Sequence, residues 1–357
     1  MSSGRRILEV PGNLLLAGEY AITLEGYSGV TFAAGPPVRV HMDPAPQFRL
    51  RGRFGRQGAR SGRTGSVAQA GAVPTDNSVE DSPVFSAALA LFGDRSRFAA
   101  IASRATDSGS AANAVGRRAA FESAGVLPPV AITVDSSGLF TPEGRKLGFG
   151  SSAAATVATV AALLAAVDID PVNERSLTAM LATVAHRDLQ GGAGSGYDVA
   201  TSCFGGVGLF TGGERPTYER IDAGWLPPLG VTSGPSAESS AGAVARFRYA
   251  LETDTPHMNA LLEQSNRAVS AIAAAREWDD GRRAFEAARD VGMRIGEAIG
   301  VPAAVGPEYV YGGDPGDCGK RFMKALGAGR ETIGLLPYRS DCRETRVPRD
   351  TEGLRWA

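Results

Sequence analysis

The sequence predicts a mixed α and β chain with room for two ordinary domains or one large one. Three observations predict it. The chain is 357 residues long and 43% apolar, enough to bury proper cores. Short apolar or β-branched runs bounded by turn residues, such as Ile7 to Val10 and Ala131 to Val134, alternate with longer stretches of helical period. Two glycine-rich stretches, Gly148-Phe149-Gly150 and Gly191-Gly192-Ala193-Gly194-Ser195-Gly196, each deliver the chain into a helix-forming run.

In chain order, Ile7 to Val10 reads as a short strand. Pro11-Gly12-Asn13-Leu14-Leu15-Leu16-Ala17-Gly18-Glu19-Tyr20-Ala21 then reads as a compact loop–strand–loop, and Val30 to Val40 as a further strand pair. From Phe48 to Ser66 the composition shifts: Arg49, Arg51, Arg53, Arg56, Arg60 and Arg63 are interleaved with Gly, Ser and Gln, which predicts a hairpin end and a basic loop. Ser82-Pro83 has the form of an N-cap followed by proline at the first helical position, opening a helix through Leu91. Ala131 to Val134 is a strand, and Asp135 to Arg145 a turn-rich hairpin that feeds the first glycine loop. A helix is expected over Leu177–Leu189, strands over Gly205–Thr211 and Leu229–Gly234, and helices around Ser236–Tyr249, Met258–Ala274 and Arg283–Ile299. The tail reads as a helix over Arg321–Ala328 and a strand over Thr332–Tyr338.

The stretch Lys146-Leu147-Gly148-Phe149-Gly150-Ser151-Ser152-Ala153 carries the chemistry. A helix N-terminus leaves N–H groups unpaired and bears partial positive charge. Gly148 and Gly150 allow close backbone approach, and the Ser151 and Ser152 hydroxyls can meet phosphate oxygens or Mg²⁺. A serine-capped core helix behind a glycine turn is the competing reading of the same residues. Asp198, at the start of the helix after the second loop, is either a first-turn acid that favours the dipole or a catalytic base.

A net charge of −1 gives no bulk attraction to nucleic acid or anionic membrane. The run Ala153 to Val167 falls short of the roughly 20 residues a membrane span needs. The N-terminus shows no extended hydrophobic segment of the secretory kind. Three cysteines and three histidines have no metal-ligand spacing, and the odd cysteine count points to a reducing cytoplasm. Lys146, Lys320 and Lys324 are the only lysines among 37 basic residues, so each retained lysine suggests a need for a compact point charge.

Together, PGNLLLAGEYA, KLGFGSSAAA and QGGAGSGYDVA resemble the three-part signature of the GHMP kinase superfamily: P-G-K-x-x-L-x-G-E-Y, G-L-G-S-S-A-A and S-G-x-D. Lys146 before the loop, His186 to Asp198 (HRDLQGGAGSGYD), Gly230 to Ser240 and Gly316-Asp317-Cys318-Gly319 are similar to the phosphomevalonate kinase branch. The resemblance implies a two-domain α+β fold, with a ribosomal protein S5 domain 2-like N-terminal domain over 1–175 and a ferredoxin-like C-terminal domain over 176–357. It implies ATP and Mg²⁺ as cofactors, a small-molecule acceptor as partner, and a monomer or homodimer.

Carried over residue by residue, it makes Asp198 and Lys146 catalytic. Gly148, Gly150, Ser151, Ser152 and Ala153 would hold the ATP phosphates, with Ser152 and Glu19 at the metal. Asn13, Glu19, Tyr20, His186, Ser195, Gly316 and Asp317 would meet the acceptor. The implied reaction is transfer of a phosphoryl group to phosphomevalonate. The alternatives are mevalonate kinase or another kinase of the superfamily, and a kinase-derived binding protein without turnover. Two departures stand out: Asn13 occupies the place of the motif's lysine, and the third motif is altered. Lys324-Ala325-Leu326-Gly327-Ala328-Gly329 offers a rival match for that third motif, and the Gly316–Gly319 placement is preferred because it leaves a helix and a strand downstream.

Overall fold

β1 (Arg6–Ala17) and β2 (Ser28–Pro44) form a long antiparallel pair that organises the larger sheet. The structure, a computed structural model, describes residues 5–54, 80–105, 127–192, 194–234, 240–303, 316–327, 332–342 and 344–357. The expected short strands and turns are therefore continuous strands. The register shift between Val10 and Gly12 sets three β2 residues, Gly35, Pro36 and Pro37, opposite Pro11, so the bulge lies on β2 and Pro11-Gly12 continues β1 without ending it; a second shift, between Leu15 and Ala17, places one extra residue on β1. β3 (Arg49–Arg53) takes up the start of the Arg-rich segment, whose remainder, 55–79, lies outside the described residues.

Next come α1 (Pro83–Gly93), with Ser82 as N-cap and proline in its first turn, and α2 (Arg95–Arg104), capped by the Asp94 side chain on Arg97 N–H. β4 (Val130–Asp135) leads through a 3-10 turn to α3 (Ser151–Ala166), followed by α4 (Arg175–Leu189), α5 (Tyr197–Phe204), β5 (Val207–Thr211) and β6 (Thr217–Arg220). Because β2 is so long, β4 pairs with its second half and β5 with its first. With β11 (Arg355–Trp356) on the far edge of β1, the sheet runs β11-β1-β2-β4-β3, with β5 and β6 branching from β2. It thus draws strands from both sides of residue 175.

Every residue of α3 from Ala153 to Ala166 is buried. Its small side chains let β1, α1, α4 and α5 pack closely around it. The N-terminus of the helix is thereby fixed at the edge of the larger sheet.

β7 (Leu229–Ser233) begins the second layer. α6 (Ser240–Thr253), α7 (Thr255–Ala274) and α8 (Trp278–Ala298) follow, then β8 (Phe322–Leu326), β9 (Thr332–Leu336) and β10 (Thr345–Val347). The smaller sheet is antiparallel in the order β10-β7-β9-β8. Phe285 of α8 packs on Phe322 of β8 at 6.0 Å between ring centres, binding helix to sheet.

The helix expected over Arg321–Ala328 is the strand β8. Met323, Lys324, Ala325 and Leu326 are good helix formers, but pairing with β9 and burial of all five β8 residues override that local preference. Cys318 is disulfide-bonded to Cys342, leaving Cys203 as the buried free thiol, so the odd cysteine count says nothing about a reducing compartment. Among the described residues no helix is long and apolar enough to cross a membrane.

Candidate active site

The N-terminus of α3, the start of α5 and the facing ends of β8 and β9 converge on one cavity of about 350 Å³. Its walls include Asn13, Lys146, Gly148, Gly150, Ser151, Ser152, Ala153, His186, Tyr197 and Asp198, with Leu326, Gly327 and Thr332 contributed by the smaller sheet. The three sequence stretches thus meet, although about 190 residues separate the first from the last.

Local backbone chemistry explains the shape of the first wall. Gly150 is the residue before α3 and adopts φ +61°, the left-handed region. A Cβ there would strike the Asn13 amide, so glycine is required for both reasons. Gly148 is also left-handed, and a Cβ on it would strike Thr332 Oγ1 from the smaller sheet. The loop is tied to β1 by Asn13 N–H donating to the Phe149 carbonyl at 3.0 Å. Ser152 is exposed, Ser151 half-buried and Ala153 buried, so the two hydroxyls lie at the cavity and the methyl points into the core. Lys146 is exposed beside the loop.

On the opposite wall the second glycine loop is pinned from α4: Arg187 donates from Nε to the Gly194 carbonyl at 2.8 Å and from Nη2 to the Ser195 carbonyl at 2.9 Å. Left-handed Gly196 then starts α5. Asp198 falls in the first turn of that helix, and its Oδ1 accepts from Val199 N–H at 2.9 Å. His186 of α4 is 3% exposed, with Nδ1 3.5 Å from Asp198 Oδ2. Burial, and then the charges of Asp198 and Glu19, push the Tyr197 phenol well above its ordinary value, so it stays protonated at the cavity wall.

Several expected site residues are committed to other contacts or sit elsewhere. Asn13 lines the cavity but is buried, its Nδ2 donating to Ser202 Oγ at 3.0 Å. Glu19 does not line this cavity. Its carboxylate is buried against Lys324 of β8, so a cation of the chain already occupies the place expected for a metal. Tyr20 faces away and stacks on Phe247 at 5.6 Å. Ser195 lies beside the cavity without lining it, and its Oγ accepts from Tyr197 N–H at 3.4 Å. Gly316 and Asp317 are exposed on a 3-10 turn next to the disulfide, away from the cavity.

The preferred third-motif placement is therefore corrected. It is the rival stretch from Lys324 that reaches the site, through Leu326 and Gly327, while 328–331 lie outside the described residues. Tyr197 and Thr332 were missed as cavity residues. Tyr197 stands inside the SGYD stretch and could have been found there; Thr332 has no local signal, because only tertiary packing brings it to Gly148. Cys318, Asp341 and Cys342 cluster, but both sulfurs are in the disulfide.

The chain is similar to several known proteins. Residues 109–206 match the GHMP kinases N terminal domain. A phosphomevalonate kinase from Streptomyces sp. (strain CL190) is 28% identical over 255 residues, covering 58% of this chain and 67% of that one. A Lin0012 protein from Listeria innocua superposes with a TM-score of 0.73 at 17% identity, covering 99% of both chains. The Streptococcus pneumoniae phosphomevalonate kinase in complex with phosphomevalonate and AMPPNP superposes with a TM-score of 0.62 at 17% identity, covering 93% of this chain and 92% of that one. These likenesses share the two-domain α+β fold. Residues 109–206 thus match a GHMP kinase N-terminal domain, and the chain resembles phosphomevalonate kinases.

Proposed function

We propose that this chain is an ATP-dependent kinase that transfers the γ-phosphoryl group to the phosphate of phosphomevalonate, giving a diphosphate and ADP. The observation that carries the reading is the pairing of two walls of one cavity: a glycine-shaped helix N-terminus with two serines on one side, a carboxylate on the other. Unpaired N–H groups at the start of α3 suit phosphate oxygens, and left-handed Gly150 and Gly148 keep side-chain carbon out of their way. Lys146 supplies a compact positive charge at the same loop.

Phosphoryl transfer depends on alignment and charge neutralisation more than on covalent help from the protein. The roles follow. The loop and Ser151 hold the β- and γ-phosphates. Lys146 neutralises charge on the transferring group. Asp198 orients the acceptor oxygen. A phosphate acceptor needs little proton removal, whereas a hydroxyl acceptor would use Asp198 as base. The oxygen-rich donor set of the Ser152 hydroxyl and the Asp198 carboxylate fits a hard cation such as Mg²⁺. That ion, when bound, supplies charge neutralisation between the phosphates.

The resemblance to phosphomevalonate kinases favours phosphomevalonate over mevalonate as acceptor. The test is ADP release with Mg-ATP and a panel of phosphomevalonate, mevalonate, homoserine and galactose. Turnover with phosphomevalonate at least tenfold above the others is expected. Preference for mevalonate would move the assignment within the family, and ATP binding without turnover of any acceptor would overturn the kinase reading.

A further inference from the structure

Two facts about the floor of the cavity have no part in the assignment above. First, the side chain on β1 nearest the phosphate loop, Asn13, is committed to Ser202 and lies under Gly150. Among the described residues, the base facing the Asp198 carboxylate is His186, from the neighbouring helix α4. Second, the other ring nitrogen, His186 Nε2, is buried with no hydrogen-bond partner among the described residues.

These facts fix where the imidazole proton belongs. A proton on Nε2 would be a buried donor with no acceptor, among the least tolerated groups in a protein interior. A bare Nε2 leaves only an unused lone pair. A proton on Nδ1 points at a carboxylate oxygen and makes a charge-assisted contact. The 3.5 Å separation is long for a finished hydrogen bond, as active-site contacts often are before substrate binds.

We propose that His186 is the positioning residue for Asp198: its Nδ1–H holds Oδ2 while Val199 N–H holds Oδ1. With both oxygens held, the carboxylate cannot rotate about its Cβ–Cγ bond, and its free lone pairs stay aimed at the acceptor. A carboxylate held at one oxygen only would swing, and loss of aim lowers turnover without weakening nucleotide binding. This role rests on the phosphoryl-transfer reading for its kinetic consequence alone; the ring tautomer does not depend on it.

The experiment has two arms. In the first, the protein is labelled with ¹⁵N-histidine and ring nitrogens are read by long-range ¹H–¹⁵N correlation, with His186→Asn assigning the signal among His41, His186 and His257. A proton on Nδ1, facing Asp198, is expected. A ring with its proton on Nε2 and none on Nδ1 overturns the proposal. In the second arm, His186→Asn, whose amide N–H can stand where Nδ1–H stood, keeps kcat within about threefold of wild type. His186→Gln, whose amide reaches toward the Nε2 position, and His186→Leu lose about tenfold to a hundredfold in kcat at unchanged KM for Mg-ATP. Equal rates for the Asn and Gln variants, or a loss confined to KM, also overturn it. If wild type turns over no acceptor, the kinase reading fails and the spectroscopic arm still decides the tautomer. If the variants do not fold, the ring spectrum of wild type, assigned by elimination with His41→Gln and His257→Gln, decides it.

Discussion

Lys324 of β8 reaches out of the smaller sheet to the carboxylate of Glu19, just beyond the end of β1, and both side chains are buried. The lysine also donates to the Ala325 carbonyl at 3.0 Å. Burial pushes the Glu19 carboxyl up from its ordinary value, and Lys324 opposes that shift. Removing one partner strands a buried charge. Lys324→Met is expected to cost roughly 3–5 kcal/mol in urea unfolding. The double variant Lys324→Met/Glu19→Leu, which leaves no lone charge, is expected to recover most of that loss. A single variant within about 1 kcal/mol of wild type would show that the pair does not join the two sheets.

The phosphate loop makes a different demand. Gly150→Ala meets two penalties at once, a left-handed backbone and contact with the Asn13 amide. Gly26 is also left-handed, but a Cβ there meets nothing within 4 Å. Gly26→Ala is therefore expected to lose only the backbone share, about 1 kcal/mol, and Gly150→Ala about 1–3 kcal/mol more. Paired urea unfolding curves check the difference. Turnover should fall in Gly150→Ala and not in Gly26→Ala, because only the first lines the cavity.

Most of the cavity was legible in the sequence because its chemistry is local. Gly148 to Ser152 and Gly196 to Asp198 each combine left-handed glycines with a helix start, and short-range sterics fix such units wherever the fold puts them. What remained hidden is set by distant packing. β8 reads as helix until β9 pairs with it, and Glu19 and Lys324 stand 305 residues apart. The Gly316–Gly319 match misled for the same reason: a string of letters carries no information about which end of a strand faces the cavity. Pro11-Gly12 marks a turn in most settings, yet here it runs on within β1, opposite a bulge at Gly35, Pro36 and Pro37 of β2.

Asp198 is the residue on which turnover should depend most. Asp198→Asn keeps the shape and the contact with Val199 N–H but removes the charge. A fall of at least about a hundredfold in kcat is expected, with the unfolding midpoint little changed. Ser152→Ala, at an exposed position, should raise the Mg²⁺ concentration needed for half-maximal rate and leave stability alone. Full activity in Asp198→Asn removes the role assigned to the carboxylate; an unchanged Mg²⁺ profile in Ser152→Ala removes that of the hydroxyl.

Away from the cavity, Glu9 of β1 ties the edge of the larger sheet together. It accepts from Arg39 Nε of β2 at 2.8 Å and from Arg355 Nη2 of β11 at 2.6 Å. Burial alone would raise its carboxyl, but the hydrogen bonds from Arg39 and Arg355 outweigh that and hold it below the ordinary 4.5. A carboxyl whose value falls on folding binds protons more weakly in the folded state. Its stabilisation is therefore complete above pH 4.5 and is lost as the pH drops through the lowered folded-state value. Glu9→Gln is expected to cost about 1 kcal/mol at pH 7, since Arg39 is largely exposed and its contribution is screened. Arg355 keeps Asp350 at 2.7 Å in that variant, which limits the loss to the two contacts with Glu9. Urea unfolding of wild type and variant from pH 7 down to about pH 3 should show the two curves converging at the acid end. A constant gap across that range would mean that the Glu9 contacts act through shape, with no part played by its charge.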